Sequence, residues 1–171
     1  MNKPMGIGGM LKDNRSGLSQ WWTGATPDKA AKQWTHRRWP HSESSGVEDR
    51  NAAKGQQILN VELYGVFAAI CAWEKIIQNR RVIFFIDNTA ALACLCKHSA
   101  REPDTNKLVR AISQKLQELG AKPWYEWLGS SSNPADWPSR LPVASDAEKE
   151  THFKRLSSMG FSEVKSRLSG Y

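Results

Sequence analysis

Cysteine is scarce in this sequence. Cys71, Cys94 and Cys96 are the three thiols among 171 residues, an odd number and too few for a disulfide-stapled scaffold. A reduced intracellular setting, cytoplasmic or nuclear, is expected. No apolar run approaches the roughly 20 residues that cross a bilayer, which argues against a membrane protein. The start, Met1-Asn2-Lys3-Pro4-Met5-Gly6, carries no apolar stretch of the kind that marks a secretion signal. No internal period recurs, so repeat architectures are excluded as well. Acidic side chains are in the minority, 17 against 24 Lys and Arg, for a net charge of +7. Such an excess favours a polyanionic partner, nucleic acid before membrane.

What is present suffices for one core-forming domain: 40% of residues are hydrophobic and 24% charged. Two short apolar runs, Met5–Leu11 and Leu18–Trp22, flank Asp13-Asn14-Arg15-Ser16-Gly17 and predict a β-hairpin. The glycines of the first run weaken a strand unless another backbone must approach it closely. Residues 24–57 read as a basic surface insertion punctuated by tryptophan. Over residues 1–41, seven Lys and Arg face two Asp, so most of the charge excess lies at the front of the chain.

From Gln56 the spacing of Leu59, Leu63, Val66, Ile70 and Trp73 predicts an amphipathic helix. The unbroken run Val82-Ile83-Phe84-Phe85-Ile86 predicts a central strand buried on both faces. A short helix from Asn88 to Lys97 follows, then an amphipathic helix marked by Leu108, Ile112, Leu116 and Leu119 and closed by Gly120. Trp124, Tyr125, Trp127 and Leu128 predict a second buried strand. Strand, helix and strand in this order make a βαβ unit, hence an α/β fold with parallel pairing. A last helix is expected to start at Ser145 and to dock through Phe153, Leu156 and Met159. The layout is thus a domain over 1–141, carrying the insertion, and a helical tail over 142–171.

Three carboxylates stand where the pattern gives them chemical meaning. Glu62 flanks the apolar stripe of the long helix. Asp87 ends the most hydrophobic strand at its C-terminal edge, where α/β sheets bind ligands. Asp136 sits in Asn133-Pro134-Ala135-Asp136-Trp137-Pro138-Ser139-Arg140, a helix start. Each has a plainer reading: Glu62 as a solvated flank, Asp87 as a cap of the next helix, Asp136 as a complement to a helix N-terminus. Converging, the three can hold divalent cations of the hard, oxygen-loving kind, and a pair of such ions can hydrolyse a phosphodiester.

The segments Asn60-Val61-Glu62-Leu63-Tyr64-Gly65-Val66, Phe85-Ile86-Asp87-Asn88-Thr89-Ala90-Ala91-Leu92 and Asn133–Arg140 resemble the ribonuclease H-like domain of retroelement reverse transcriptases, of the DIRS-like and related kind. Gly6-Ile7-Gly8-Gly9-Met10-Leu11 is similar to that family's second strand. The resemblance spans about residues 6–141. It implies a ribonuclease H-like mixed sheet flanked by helices. It also implies Mg²⁺ or Mn²⁺ as cofactor, with Glu62, Asp87 and Asp136 as metal ligands and catalytic residues. The implied reaction is hydrolysis of the RNA strand of an RNA–DNA hybrid, and the implied partner is the remainder of a reverse transcriptase polyprotein. Asn88 and Arg140 are then expected at the nucleic acid.

The family's fourth acid lies on its first, central strand, ahead of the Gly-Ile-Gly segment, where this chain has only Met1 to Met5. An N-terminally truncated fragment or degenerate copy, with that strand missing and activity impaired, is the expectation; the other option is that Met5–Leu11 moves into the central slot. A non-catalytic nucleic-acid-binding or structural remnant is the alternative reading, and a small-molecule α/β enzyme a third. Lys32, Trp34, Arg37, Arg38 and Trp39 can track phosphates and stack on bases, or else belong to a solvated loop. Cys94 and His98 share a helix face but find no second ligand pair for zinc, so buried free thiols are expected. Gly6-Ile7-Gly8-Gly9 is not a phosphate loop, and Ser130-Ser131-Ser132 reads as a polar loop.

Overall fold

The computed structural model describes residues 5–27 and 48–164. The first two apolar runs form the expected hairpin: β1 (Gly6–Lys12) pairs antiparallel with β2 (Ser19–Ala25), Gly6 opposite Ala25 and Lys12 opposite Ser19. Asp13 organises the turn, accepting hydrogen bonds from the Arg15 amide at 3.0 Å and the Ser16 hydroxyl at 2.6 Å. Arg80 Nη1 donates to the same carboxylate at 2.7 Å. Ser16 first and then Arg80 hold the Asp13 carboxyl well below the usual carboxylate range. The glycines of β1 have a steric reason. Gly6 and Gly8 lie directly against the backbone of Ser139 and Pro138, and a Cβ on either would collide with it.

The long helix α1 (Glu48–Ala72) begins ahead of Gln56. The preceding Glu48–Gly55 segment has no apolar stripe, but it is rich in the strong helix formers Glu, Arg, Ala and Lys, with two acids in the first turn where the helix dipole favours them. The apolar spacing therefore marks where the helix packs, not where it starts. A short α2 (Glu74–Ile77) leads into β3 (Arg81–Ile86), followed by α3 (Thr89–Lys97), α4 (Pro103–Glu118) and β4 (Lys122–Trp127). Gly120 closes α4 with φ 62°, the left-handed position that glycine takes without strain. Then come α5 (Asp136–Arg140), α6 (Asp146–Ser158) and β5 (Ser162–Glu163).

The fold is mixed α/β, and its described strands fall into two sheets. One runs β1-β2-β5 with β5 parallel to β2; the other is the parallel pair β3-β4, Ile83 opposite Trp124. Both rest on one helical layer through a common core that includes Ile7, Trp22, Leu63, Ile70, Ile86, Leu95, Val109, Ile112 and Leu116. The βαβ unit is present as expected. Among the described residues β1 bonds to β2 alone, so Met5–Leu11 does not take up a central position between the described strands.

The expectation of two strands buried on both faces fails. Val82, Phe84 and Tyr125 pack on the core, but Ile83, Phe85, Trp124 and Trp127 are 59%, 57%, 65% and 55% exposed. Alternate residues of a strand point to opposite faces, and among the described residues no element lies on the outer face of β3–β4. The α6 helix covers the hairpin instead. Its Ser145–Glu148 capping box fixes the start, wholly buried Leu156 packs with Trp21 and Leu141, and the Phe153 ring lies 5.4 Å from that of Trp21. Met159, past the last turn, is 45% exposed and does not dock. The thiols also depart from expectation, since Cys96 is exposed and Cys71 and Cys94 are half-buried.

Candidate acidic site

Three separate elements carry the three carboxylates. Glu62 lies in the second half of α1, between core residues Val61 and Leu63, so its side chain leaves the helix at the border of the packed face. Asp87 follows the last residue of β3. Asp136 is the first residue of α5, and Asn133 Oδ1 accepts the Ala135 amide at 3.0 Å in a turn that precedes the helix.

The structure brings the three acids into one field. Burial, and then repulsion from Asp87 and from Asp136, push the Glu62 carboxyl up to about 7. No donor among the described residues reaches that carboxylate. Asp87 does not cap α3, which answers its plainer reading. Asn88 performs that task, its Oδ1 accepting the Ala90 and Ala91 amides at 3.0 Å each. Asp87 instead accepts a hydrogen bond from Asn133 Nδ2 at 3.0 Å. Asp136 pairs with Arg140, one turn on, at 2.6 Å. Glu62, Asp87, Asn88, Thr89 and Ser130 line an open cleft of about 350 Å³ at the C-terminal end of β3.

Carboxylate oxygens are the donor type that a hard divalent cation takes. Their spacing is looser than a closed coordination shell: among the described residues, no group of three or more His, Cys, Asp or Glu side chains is gathered tightly enough to hold an ion. Asp87 and Asp136 meanwhile spend oxygens on Asn133 and Arg140. Glu62 is the one of the three carboxylates that stands without a partner among the described residues.

Of the residues expected at nucleic acid, Asn88 caps α3 at the cleft, and Arg140 pairs with Asp136. Lys32, Trp34, Arg37, Arg38 and Trp39 lie outside the described residues. Sequence reasoning missed Asn133 as the partner of Asp87, and Thr89 and Ser130 as cleft residues. Asn133 was legible only as a local cap, because its second bond spans 46 positions of chain. His98, at the end of α3, sets its Nδ1 3.3 Å from Ser113 Oγ. No described helix is long and apolar enough to cross a membrane. Compared with family models, with curated proteins and with solved structures, the chain matches none.

Proposed function

We propose that the chain is a ribonuclease H-like domain of the retroelement kind, whose acidic site binds Mg²⁺ or Mn²⁺ and acts on the RNA strand of an RNA–DNA hybrid. The observation that carries this reading is that Glu62, from a helix, and Asp87, from a strand end, line one cleft at the C-terminal edge of a parallel strand pair, with Asp136 near enough to repel Glu62. That edge is where α/β sheets bind ligands. Glu62, Asp87 and Asp136 would hold the cation, which supplies activation of water and stabilisation of the leaving oxygen of a phosphodiester. The chain's own part is to orient: Asn133 fixes Asp87, and the Asn88 cap holds the β3–α3 junction from which Asp87 projects. The net charge of +7 favours the polyanionic substrate.

The second reading, a nucleic-acid-binding domain without turnover, is favoured by the loose spacing of the acids and the ion pair that occupies Asp136. One assay separates the two. A labelled RNA–DNA hybrid is incubated with the full chain and Mn²⁺ or Mg²⁺, beside Asp87→Asn. Cleavage of the RNA strand that vanishes in Asp87→Asn is the expected result. Salt-dependent hybrid binding without cleavage supports the second reading, and absence of both overturns the proposal.

A further inference from the structure

The third acid of the site is held from outside its own helix. α5, which opens with Asp136, has five residues, too few for a helix to stand on its internal bonds. Inside the segment, the Ser139 hydroxyl donates to Asp136 O at 2.7 Å, and Asn133 closes the turn ahead of it. Where α5 sits is therefore set by what it rests on.

The hairpin provides the seat. Thr23 of β2 donates its hydroxyl to Pro138 O at 2.6 Å. Gly8 stands opposite Thr23 in the β1–β2 register, and a Cβ there would press on Ser139 N and lie 2.6 Å from Pro138 C. Carbon atoms in contact sit about 3.5–4.0 Å apart, so α5 would have to retreat by about 1 Å. Both obstructing atoms are backbone, and no side-chain rotation relieves the clash. α6 provides the wall: the Arg155 guanidinium lies 3.9 Å from the centre of the Trp137 ring, and Leu156 packs with Leu141, the residue after α5. These anchors belong to the hairpin and to α6. The strand end that carries Asp87 meets the segment through Asn133, ahead of the helix.

We propose that Thr23 and Gly8 are positioning residues of the acidic site: a hydroxyl and the bare backbone opposite it seat Pro138 and Ser139 on the hairpin, and so fix where the Asp136 carboxylate stands toward Glu62 and Asp87. The effect on cation binding rests on the function proposed above; the effect on the place of α5 rests on the contacts alone.

The test uses the full chain and two readouts. Residual dipolar couplings of backbone amides report the orientation of α5 without metal, and isothermal titration reports Mn²⁺ affinity. In Gly8→Ala the couplings of Trp137, Ser139 and Arg140 should change while those of β3 and β4 keep their parent values, and Mn²⁺ should bind about tenfold or more weakly. Gly9→Ala is the control. On the other face of the same strand its Cβ meets the Trp22 ring and not α5, so it should lower stability and leave both readouts in place. Thr23→Val, which removes the hydroxyl and adds no clash, should move both readouts in the direction of Gly8→Ala, and Thr23→Ser should restore them. In an Asp136→Asn background Gly8→Ala should cost no further affinity, which a general loosening of the fold would not give. Unchanged α5 couplings in Gly8→Ala or in Thr23→Val overturn the proposal, as does an affinity loss that persists at full size in Asp136→Asn. If Gly8→Ala does not fold, the Thr23 pair decides. A parent chain that binds no Mn²⁺ overturns the cation reading instead, and the couplings then decide the seat of α5 by themselves.

Discussion

The two sheets, the hairpin half and the β3–β4 half of the fold, each carry apolar runs and meet different fates. In the hairpin half, Trp21 and Trp22 are 2% and 0% exposed, because α1 lies on one face and α5 and α6 on the other. In the β3–β4 half, Trp124 and Trp127 stay more than half exposed, because the described helices cover only one face. Composition gives a strand the capacity for burial, and the neighbouring elements decide whether it is used. The acidic site lies where the halves meet: Asp87 comes from β3–β4, Asp136 from the helix seated on the hairpin, and Glu62 from the helix beneath both.

The sharpest contrast is in stability. Trp22→Ala removes the largest wholly buried side chain of the hairpin half and should cost about 3–5 kcal/mol by urea unfolding. Trp124→Ala should cost less than about 1 kcal/mol. Equal losses would break the comparison.

Next in size is the site at the seam. Glu62 binds its proton more tightly folded than unfolded, with a folded value near 7 against an ordinary 4.5. The folded state therefore holds an extra proton between those values, and stability should fall as pH rises through that window, by up to about 3 kcal/mol. Glu62→Gln should abolish that slope and leave the chain more stable than the parent above pH 7, by thermal melts across the range. A parent whose stability rises from pH 4.5 to 7 at this site would show that the halves do not bring their acids together.

The smallest effect belongs to Arg140. Its pair with Asp136 is largely solvent-exposed, 64% and 39%, so Arg140→Gln should change stability by no more than about 0.5 kcal/mol. It frees an Asp136 oxygen, so under the proposed function Mn²⁺ should bind more tightly, by isothermal titration. Weaker binding would assign Arg140 a supporting role at the cation instead.

Local patterns were the legible part of this fold. The Asp13–Gly17 turn, the stripe of α1, the Gly120 stop and the Ser145–Glu148 cap each depend on residues a few positions apart, and the structure contains them all. The three acids were legible one by one from their places on a helix, a strand end and a helix start. What was not legible depends on distant chain. Nothing local in Phe84-Phe85 says that one ring faces a helix and the other solvent. Nothing in Asn133 says that it reaches back to Asp87, nor in Gly6 and Gly8 that Ser139 and Pro138 would pass over them.

The proposed function requires Glu62, Asp87 and Asp136 to form one cation-binding field. The most direct measurement is the titration of the Glu62 carboxyl by carbon-13 NMR, without and with millimolar Mg²⁺, in the parent chain and in Asp87→Asn. The expected result is a midpoint near 7 without metal, moved down by Mg²⁺ in the parent, and already lower but insensitive to Mg²⁺ in Asp87→Asn. A Glu62 that titrates near 4.5 from the outset, or one near 7 that Mg²⁺ leaves in place, would contradict it.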